Sequence, residues 1–423
     1  MGILEARLSA PLLSARLAGQ SIAVVGITHP QTCLVLRGRL RALRNAGFSV
    51  VLVSSPSEMA EQLAAEEGAR LVAVPMQRGI APLADIVSLF RLTRALWRLS
   101  PTLTEFSTPR AGLLGNIAAF LCGVPSRVYL LRGLRLETSS GFQRSLLKAC
   151  EMLAAACAHL VLCNSESLRR QAIALGLVPQ GKLKIIGGGS SNGVDVARFC
   201  PGPDIIRAEL GIPPDVPVVG FVGRFTRDKG IPELLVAFNS LLEKIPGVRL
   251  LMVGWFDESE DALTVYQRAQ LEAHPRVIRT GYVADTAPYY RAMDILVLPT
   301  WREGFPNAVL EAAASGLPVI TTNTTGARDA VQNGITGLLV PPGEPLELAE
   351  AMRTLLQHPE QRQSMGHAAR RWVVQQFVSR RVLGLTVSLY QQLVAQADAR
   401  RRHGRPTPAP IEPLAKDAVA AGD

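Results

Sequence analysis

Two glutamates eight positions apart, Glu303 and Glu311, are the residues of this sequence whose type and spacing best suit binding chemistry. In one continuous helix, eight residues would rotate the second side chain about 80° from the first, so both could not aim at one point. Pro306 favours the first position of a helix, which predicts Glu303 on a loop and Glu311 about one turn inside the helix. The free N–H groups of the helix start would then lie between two hydrogen-bond acceptors.

This arrangement fits a nucleotide diphosphate attached to a polyol, with phosphates on the N–H groups and sugar hydroxyls on the carboxylates. The alternative is an ordinary surface helix that carries a glutamate in its first turn. A second pattern adds positive charge, because Arg224 and Lys229 flank a turn that follows a predicted strand. Both side chains could reach one diphosphate from that turn.

The elements that must position these residues alternate between strand and helix along both halves of the chain. This rhythm predicts an α/β protein with two doubly wound parallel sheets that face a central cleft. We expect an N-terminal Rossmann-like domain over residues 1–200, a Pro/Gly-rich linker over 201–217 and a C-terminal Rossmann-like domain over 218–378. A helix over 379–400 is expected to pack back towards the first domain, and 401–423 is expected to be a disordered tail. Helices are also predicted over 34–46 and 327–333.

The charge of the chain is concentrated in its first half. Residues 1–200 hold 22 Lys+Arg and 11 Asp+Glu, a difference of +11, and the rest hold 23 and 24, a difference of −1, which together give the formal +10. The basic half therefore predicts an anionic partner, either a lipid surface or a phosphate-bearing acceptor. Nucleic acid is disfavoured because aromatic residues are few and no reader motif occurs. The stretch 83–99 has the composition of a membrane-surface helix, although an ordinary helix with a basic solvent face would also fit.

The cysteines and the hydropathy indicate a compartment. Six cysteines stand singly without a Cys-x-x-Cys pair, which is typical of reduced thiols in a cytosolic protein. Charges interrupt the apolar stretches of the N-terminus, and no uncharged run reaches transmembrane length. We therefore expect a cytoplasmic protein.

Several motifs of the second half, taken together in this order, resemble the retaining glycosyltransferases of family 4, which have the GT-B fold. These motifs are Gly223-Arg224 with Lys229-Gly230, the stretch 281–283, Glu303 to Glu311, and 314–320. The first half is similar to the branch that builds capsule and exopolysaccharide on undecaprenyl-diphosphate carriers. The segments that carry this second likeness are 28–40, 107–115, 131–138 and 189–195.

The resemblance implies a role for each matching residue. Arg224 and Lys229, with Gly223, would hold the donor diphosphate and neutralise its growing charge without a metal. Glu303 would bind hydroxyls of the transferred sugar, and Glu311 would bind the ribose hydroxyls. Asn192 would face the cleft from the first domain. The remaining donor-site positions would contact sugar, phosphate or base through their backbone or would complete the turn. These positions are Val283, Gly304, Phe305, Pro306, Asn307 and Ala308. No Asp-x-Asp motif occurs, no metal site is predicted, and the acidic stretch 257–261 is expected to be a solvated loop.

The sequence departs from the family at two strand ends. Arg132 stands where relatives commonly carry a histidine, and Glu105 and Ser107 stand where a His-x-His often occurs. Arg132 could serve the donor phosphate or an acceptor diphosphate. Glu105 is a candidate base for the acceptor hydroxyl, with Glu137 as another, and a purely structural Glu105 is the alternative. The leaving phosphate can itself act as base in a front-face reaction, which would make a side-chain base unnecessary.

The function expected from these residues is a retaining, metal-independent sugar transfer from a nucleotide-sugar, preferably UDP-linked, to a lipid-diphosphate-linked acceptor. The reaction would belong to bacterial exopolysaccharide, capsule or O-antigen synthesis, at the inner face of the cytoplasmic membrane. No cofactor is expected beyond the nucleotide-sugar substrate. Two alternatives are a nucleotide-sugar 2-epimerase on the same fold and a non-catalytic two-domain binding protein.

Overall fold

The computed structural model describes residues 21–28, 34–76, 82–258 and 261–403 and contains two parallel sheets. The N-terminal sheet has seven strands in the order β3-β2-β1-β4-β5-β6-β7, and the C-terminal sheet has six in the order β10-β9-β8-β11-β12-β13. The strands of the first sheet are β1 (Ile22–Gly26), β2 (Ser49–Ser54), β3 (Arg70–Ala73), β4 (Leu103–Ser107), β5 (Ser126–Leu131), β6 (Leu160–Cys163) and β7 (Leu183–Ile185). The strands of the second are β8 (Val218–Val222), β9 (Arg249–Val253), β10 (Val277–Arg279), β11 (Ile295–Leu298), β12 (Val319–Thr322) and β13 (Gly337–Val340).

Helices cover both faces of each sheet. Those of the first half are α1 (Arg39–Asn45), α2 (Glu58–Glu67), α3 (Pro82–Leu99), α4 (Pro109–Leu121), α5 (Gly141–Cys157) and α6 (Glu166–Ala174). Those that follow are α7 (Ile206–Glu209), α8 (Ile231–Lys244), α9 (Val265–Ala273), α10 (Ala287–Arg291), α11 (Asn307–Ala314), α12 (Pro345–Gln357), α13 (Pro359–Gln376) and α14 (Ser379–His403).

The central strands are uniformly apolar because helices bury both of their faces. Every residue of β1, β8 and β11 is buried, as expected for parallel strands with covered faces. The strand order reverses between β1 and β4 in one sheet and between β8 and β11 in the other. Ligands of such sheets bind beyond the carboxyl ends of the strands at these reversals. The predicted pair of doubly wound parallel sheets is therefore confirmed.

The C-terminal helix α14 packs on the N-terminal sheet. Leu389, Tyr390 and Val394 are buried in the same apolar cluster as residues of β1, α1 and α2. The helix continues through His403, so residues 401–403 are helical where a disordered tail was expected. The rest of that expected tail, 404–423, lies outside the described residues. Within the described residues, no helix has the length and apolar composition to span a bilayer.

Two predicted helices are corrected by the structure. The helix expected over 34–46 is a short 3₁₀ turn at Leu34–Leu36 followed by α1, because Gly38 adopts a left-handed conformation with φ 79°. The helix expected over 327–333 is only a 3₁₀ turn at Arg328–Ala330. After that turn the chain pairs with the start of β13, where Asn333 forms an isolated bridge to Gly337. Pairing with the strand that directly follows therefore overrides the helical pattern of this segment.

Candidate active site

The loop that carries Lys229 lies against the chain that leaves β11. Gly230 has φ 71°, and a Cβ at this position would lie 1.9 Å from the carbonyl oxygen of Pro299. Only glycine allows this approach. It brings Lys229, two residues before α8, next to the loop between β11 and α11, where Lys229 Nζ forms an ion pair with Glu303 Oε1. The structure thus joins two of the predicted site residues, which are 74 positions apart.

The Glu303 loop also touches the N-terminal sheet. A Cβ on Gly304 would lie 2.0 Å from the carbonyl oxygen of Arg132, the residue that follows β5. The backbone N–H of Glu303 donates to Thr325 at 3.1 Å, which fixes the loop from its other side. Glu303 and Arg132 therefore lie at one cleft between the carboxyl ends of the two sheets.

Helix α11 begins directly after this loop, as the glutamate spacing predicts. Glu303 lies on the loop, and Glu311 is the fifth residue of the helix. Pro306 is the residue before the helix, with φ −74° and ψ 118°, so the prediction that it occupies the first helical position is wrong by one residue. Asn307 and Ala308 form the first turn, between the two glutamates.

Glu311 is held by a buried tyrosine. Tyr290 in α10 donates its hydroxyl to Glu311 Oε2 at 2.8 Å. Burial raises the pKa of Glu311, and the hydrogen bond from Tyr290 offsets only part of that increase. Tyr290 was not predicted as a site residue, because nothing in the spacing of α10 and α11 indicates that they pack together.

Arg224 forms an ion pair with Asp257, beyond the end of β9. The Asp257 side chain is only 4% exposed. The prediction that the acidic stretch 257–261 is a solvated loop is therefore wrong at its first residue. Arg224 and Lys229 therefore lie at the same end of the C-terminal sheet, but Arg224 pairs with Asp257 and Lys229 pairs with Glu303.

The guanidinium of Arg132 has only one of its three nitrogen atoms in a hydrogen bond with the described residues. Its Nη1 donates to Ser191 Oγ at 2.8 Å, whereas its buried Nε and Nη2 have no hydrogen-bond partner among the described residues. Burial lowers the pKa of Arg132 to about 10, and the nearby positive charge of Arg39 contributes to this decrease. An arginine with unpaired buried donors at the cleft is a suitable site for an anion.

Glu105 is corrected as a base candidate. Its side chain is fully buried in β4, and Oε2 accepts hydrogen bonds from Arg39 Nε at 2.9 Å and from Tyr390 Oη at 2.5 Å. A general base must come within hydrogen-bond reach of the proton it takes, and this carboxylate has no exposed atom to do so. The structural alternative fits these contacts.

The remaining predicted residues take supporting positions. Asn192 is buried, and its Nδ2 donates to the carbonyl of Val35. Phe305 is buried with its ring 5.2 Å from that of Phe377, so only its backbone can serve a ligand. Val283 follows β10 and packs partly buried against the core of the C-terminal sheet. Gly223 follows β8 with φ 149°, a positive value that residues other than glycine rarely adopt.

Hydrogen bonds join the N-terminal and C-terminal halves of the chain around the cleft. Ser167 in α6 donates its N–H to Asp329 Oδ2 at 2.9 Å, and Ser167 Oγ accepts from the N–H of Gly326 at 2.7 Å. Two further hydrogen bonds run from Thr325 Oγ1 to Glu137 Oε1 at 2.7 Å and from Arg302 Nε to Thr138 Oγ1 at 3.0 Å. Ser167 was missed, although its position just beyond a strand end could have indicated it.

Comparisons with known proteins agree with this architecture. Residues 35–189 match the glycosyl transferase 4-like domain, and residues 203–372 match the glycosyl transferases group 1 family. The structure of Anabaena HepE in complex with UDP and glucose superposes with a TM-score of 0.73 at 20% identity, over 88% of this chain and all of that one. Sucrose-phosphate synthase from Thermosynechococcus elongatus superposes with a TM-score of 0.75 at 22% identity, over 89% of this chain and all of that one.

Two relatives are similar over most of their length. The capsular polysaccharide biosynthesis glycosyltransferase CapM of Staphylococcus aureus is 34% identical over 375 residues, which cover 88% of this chain and 98% of the relative. The UDP-Gal:alpha-D-GlcNAc-diphosphoundecaprenol alpha-1,3-galactosyltransferase of Escherichia coli is 28% identical over 331 residues, which cover 75% of this chain and 84% of the relative.

Two facing parallel sheets with a cleft between them are the GT-B fold, and the family models and the CapM relative show that the chain is a glycosyltransferase. More particularly, the chain belongs to the family 4 glycosyltransferases, in the branch that includes capsular polysaccharide enzymes.

Proposed function

We propose that the protein transfers a sugar, with retention and without a metal ion, from a UDP-sugar to a lipid-diphosphate-linked acceptor at the inner face of the cytoplasmic membrane. Residues 1–200 would bind the acceptor and residues 218–378 the donor, joined by 201–217. The observation that carries the proposal is the Lys229–Glu303 ion pair beside the start of α11. A donor diphosphate that replaces Glu303 on Lys229 frees this carboxylate to accept hydroxyls of the transferred sugar.

The donor site follows from the same exchange. Arg224 and Lys229 exchange their carboxylate partners for the diphosphate and stabilise its charge as it leaves. The first N–H groups of α11 face the same anion, since the start of a helix attracts negative charge. Glu311, held by Tyr290, accepts the ribose hydroxyls. UDP as the nucleotide is supported by the UDP bound to HepE and by the UDP-Gal in the name of the E. coli relative.

The acceptor side is supported by Arg132. Its unpaired Nε and Nη2 would bind the acceptor diphosphate, the group that links sugar to lipid in the E. coli relative's substrate. The excess of 22 basic over 11 acidic residues in 1–200 would hold this half near an anionic lipid surface.

The chemistry needs no side-chain base. The bond between the anomeric carbon and the β-phosphate oxygen of UDP breaks, while the acceptor hydroxyl oxygen bonds to the same face of that carbon. The hydroxyl proton passes to the departing phosphate oxygen. The burial of Glu105 is consistent with this route, since no base from that position is required.

The test incubates the purified protein with labelled UDP-sugars and an undecaprenyl-diphosphate-linked sugar, with and without EDTA. We expect transfer in both conditions and a product whose anomeric configuration, determined by NMR, equals that of the donor. Inversion would refute retention, and loss of activity with EDTA would refute metal independence. Conversion of the UDP-sugar to its 2-epimer without acceptor would support the epimerase, and donor binding without turnover would support the binding protein.

The role of Arg132 is tested separately. Arg132→Gln should raise the KM for the acceptor about tenfold while leaving the Kd of UDP unchanged, because the lost donors bind the acceptor alone. A weaker UDP affinity with an unchanged acceptor KM would instead assign Arg132 to the donor phosphate.

A further inference from the structure

Large apolar side chains are exposed on one side of the N-terminal sheet. In the described part of residues 1–200, every large hydrophobic side chain that is exposed lies on α3, α4 or α5. Phe142 is 83% exposed, Trp97 is 73% exposed and Phe90 is 68% exposed. The full set is Leu83, Ile86, Val87, Phe90, Trp97, Phe120, Leu121, Phe142, Met152 and Leu153. Single exposed apolar residues are ordinary, but their confinement to one patch marks an interaction surface.

The three helices form one continuous layer. Helix α4 packs between α3 and α5. Asp85 in α3 pairs with Arg110 in α4 at 3.2 Å, and Cys122 Sγ after α4 lies 3.3 Å from the carbonyl of Thr93 in α3. The side of α3 that faces the sheet is formed by Ser88, Leu92, Leu96 and Leu99, which are buried. We call the opposite, exposed side of these helices the α3–α5 face.

The charges of this face are almost all positive. The three helices carry six basic and two acidic residues. Of the acids, Asp85 pairs with Arg110, and Glu151 is buried against Tyr129. Five exposed basic residues are left, which are Arg91, Arg94, Arg98, Arg144 and Lys148. Helix α2, on the other side of the sheet, exposes Glu58, Glu61 and Glu66 and no large apolar side chain.

Basic residues interspersed with aromatic and aliphatic ones suit the headgroup region of an anionic bilayer. A second copy of the chain is a poorer occupant, because pairing two such faces would bring two sets of five positive charges together. The face also has a fixed relation to the cleft. Helices α3, α4 and α5 follow the strands β3, β4 and β5, so all three begin at the strand ends where the cleft lies. Phe142, at the start of α5, is ten positions beyond Arg132.

We propose that the α3–α5 face docks on an anionic bilayer, with Phe90, Trp97 and Phe142 inserted among the headgroups. The cleft then opens beside the membrane, so that a lipid carrier can keep its chain in the bilayer while its diphosphate reaches Arg132. This last step rests on the proposed function, whereas the docking itself does not.

The experiment measures sedimentation with vesicles of phosphatidylcholine alone or mixed in equal parts with phosphatidylglycerol. The variant Phe90→Glu/Trp97→Glu/Phe142→Glu should bind the mixed vesicles at least about tenfold more weakly than the wild type. The matched control, Val265→Glu/Tyr266→Glu in α9, changes residues that are 88% and 71% exposed and should bind like the wild type. Arg91→Gln/Arg94→Gln/Arg98→Gln should lose binding to the mixed vesicles without any apolar change, which covers the case that the glutamate variant misfolds.

Activity on a short-chain, water-soluble diphosphate acceptor separates docking from catalysis. The face variants should retain wild-type activity on it and lose activity on acceptor embedded in the mixed vesicles. Equal vesicle binding by wild type and both face variants overturns the proposal. So does a wild-type dimer, seen by light scattering, that these variants dissociate. Vesicle binding without transfer to any acceptor would support the docking face and refute the proposed function, and transfer without vesicle binding would do the reverse.

Discussion

Tyr390 in α14 donates a hydrogen bond of 2.5 Å to Oε2 of Glu105 in β4, across 285 positions of sequence. Arg39 donates to the same oxygen, and none of the three side chains is more than 1% exposed. Burial alone would lower the pKa of Arg39, but Glu105 and Tyr390 reverse this and raise it, so Arg39 stays charged. The hydrogen bond from Tyr390 to the buried Arg39–Glu105 pair therefore links the C-terminal helix to the N-terminal sheet.

Glu105→Gln should lower the free energy of unfolding by about 3 kcal/mol, because it leaves the buried Arg39 charge without a partner. Tyr390→Phe should cost about 1 kcal/mol, the value of one hydrogen bond. Thermal melting checks both, and sugar transfer measured well below the melting temperature should persist. A Glu105→Gln protein with unchanged melting and no transfer would restore Glu105 as a base.

Lys229→Ala should lower kcat/KM for sugar transfer by about three orders of magnitude, because it removes a charge that stabilises the departing diphosphate. The fold should be unaffected, as judged by circular dichroism. Lys244→Ala, at the exposed end of helix α8, which begins two residues after Lys229, is the matched control and should transfer like the wild type. Full activity of Lys229→Ala would refute the donor site.

Donor binding should depend on the protonation of Glu311. Burial raises the pKa of this carboxyl above its ordinary value, so affinity for UDP should weaken as the pH falls, and should do so earlier than for an exposed glutamate. Tyr290→Phe removes the hydrogen bond that lowers this pKa, so UDP affinity should begin to weaken at a still higher pH. Glu311→Gln should weaken binding on the order of 30-fold and flatten the pH dependence. Titration calorimetry measures all three, and an unchanged affinity in Glu311→Gln would exclude the ribose contact.

Glu151 should make the stability of the N-terminal sheet depend on pH. Burial raises its pKa from 4.5 to about 7, although the hydrogen bond from Tyr129 opposes this. Between about pH 4.5 and about pH 7 the folded state therefore binds more protons than the unfolded state, so the free energy of unfolding falls as the pH rises through this range. Glu151→Gln removes the loss and should gain on the order of 3 kcal/mol at about pH 8 and less than about 1 kcal/mol near pH 5.

Chemical denaturation at the two pH values measures this gain. Glu243→Gln, which replaces an exposed glutamate in α8, is the control and should show no comparable difference between them. An equal effect of Glu151→Gln at both pH values would mean that packing, rather than protonation, decides its contribution.

The sequence determined the features of this protein that depend on neighbouring residues. Continuous apolar runs predict buried parallel strands, such as β8 and β11, because both faces of these strands are covered. The short distance from Glu303 through Pro306 to Glu311 predicts a loop followed by a helix, since proline restricts where a helix can begin. The motifs of the second half also predicted the glycosyltransferase family to which the chain belongs.

The tertiary structure alone decided which charges meet. Lys229 pairs with Glu303, Arg224 pairs with Asp257, and Glu105 is enclosed by Arg39 and Tyr390. Residue spacing carries no direct information about such contacts, because they depend on how the chain returns to the same place after many residues. A carboxylate at a strand end can therefore serve binding, as Glu303 is proposed to do, or structure, as Glu105 does, and burial by distant elements makes the difference.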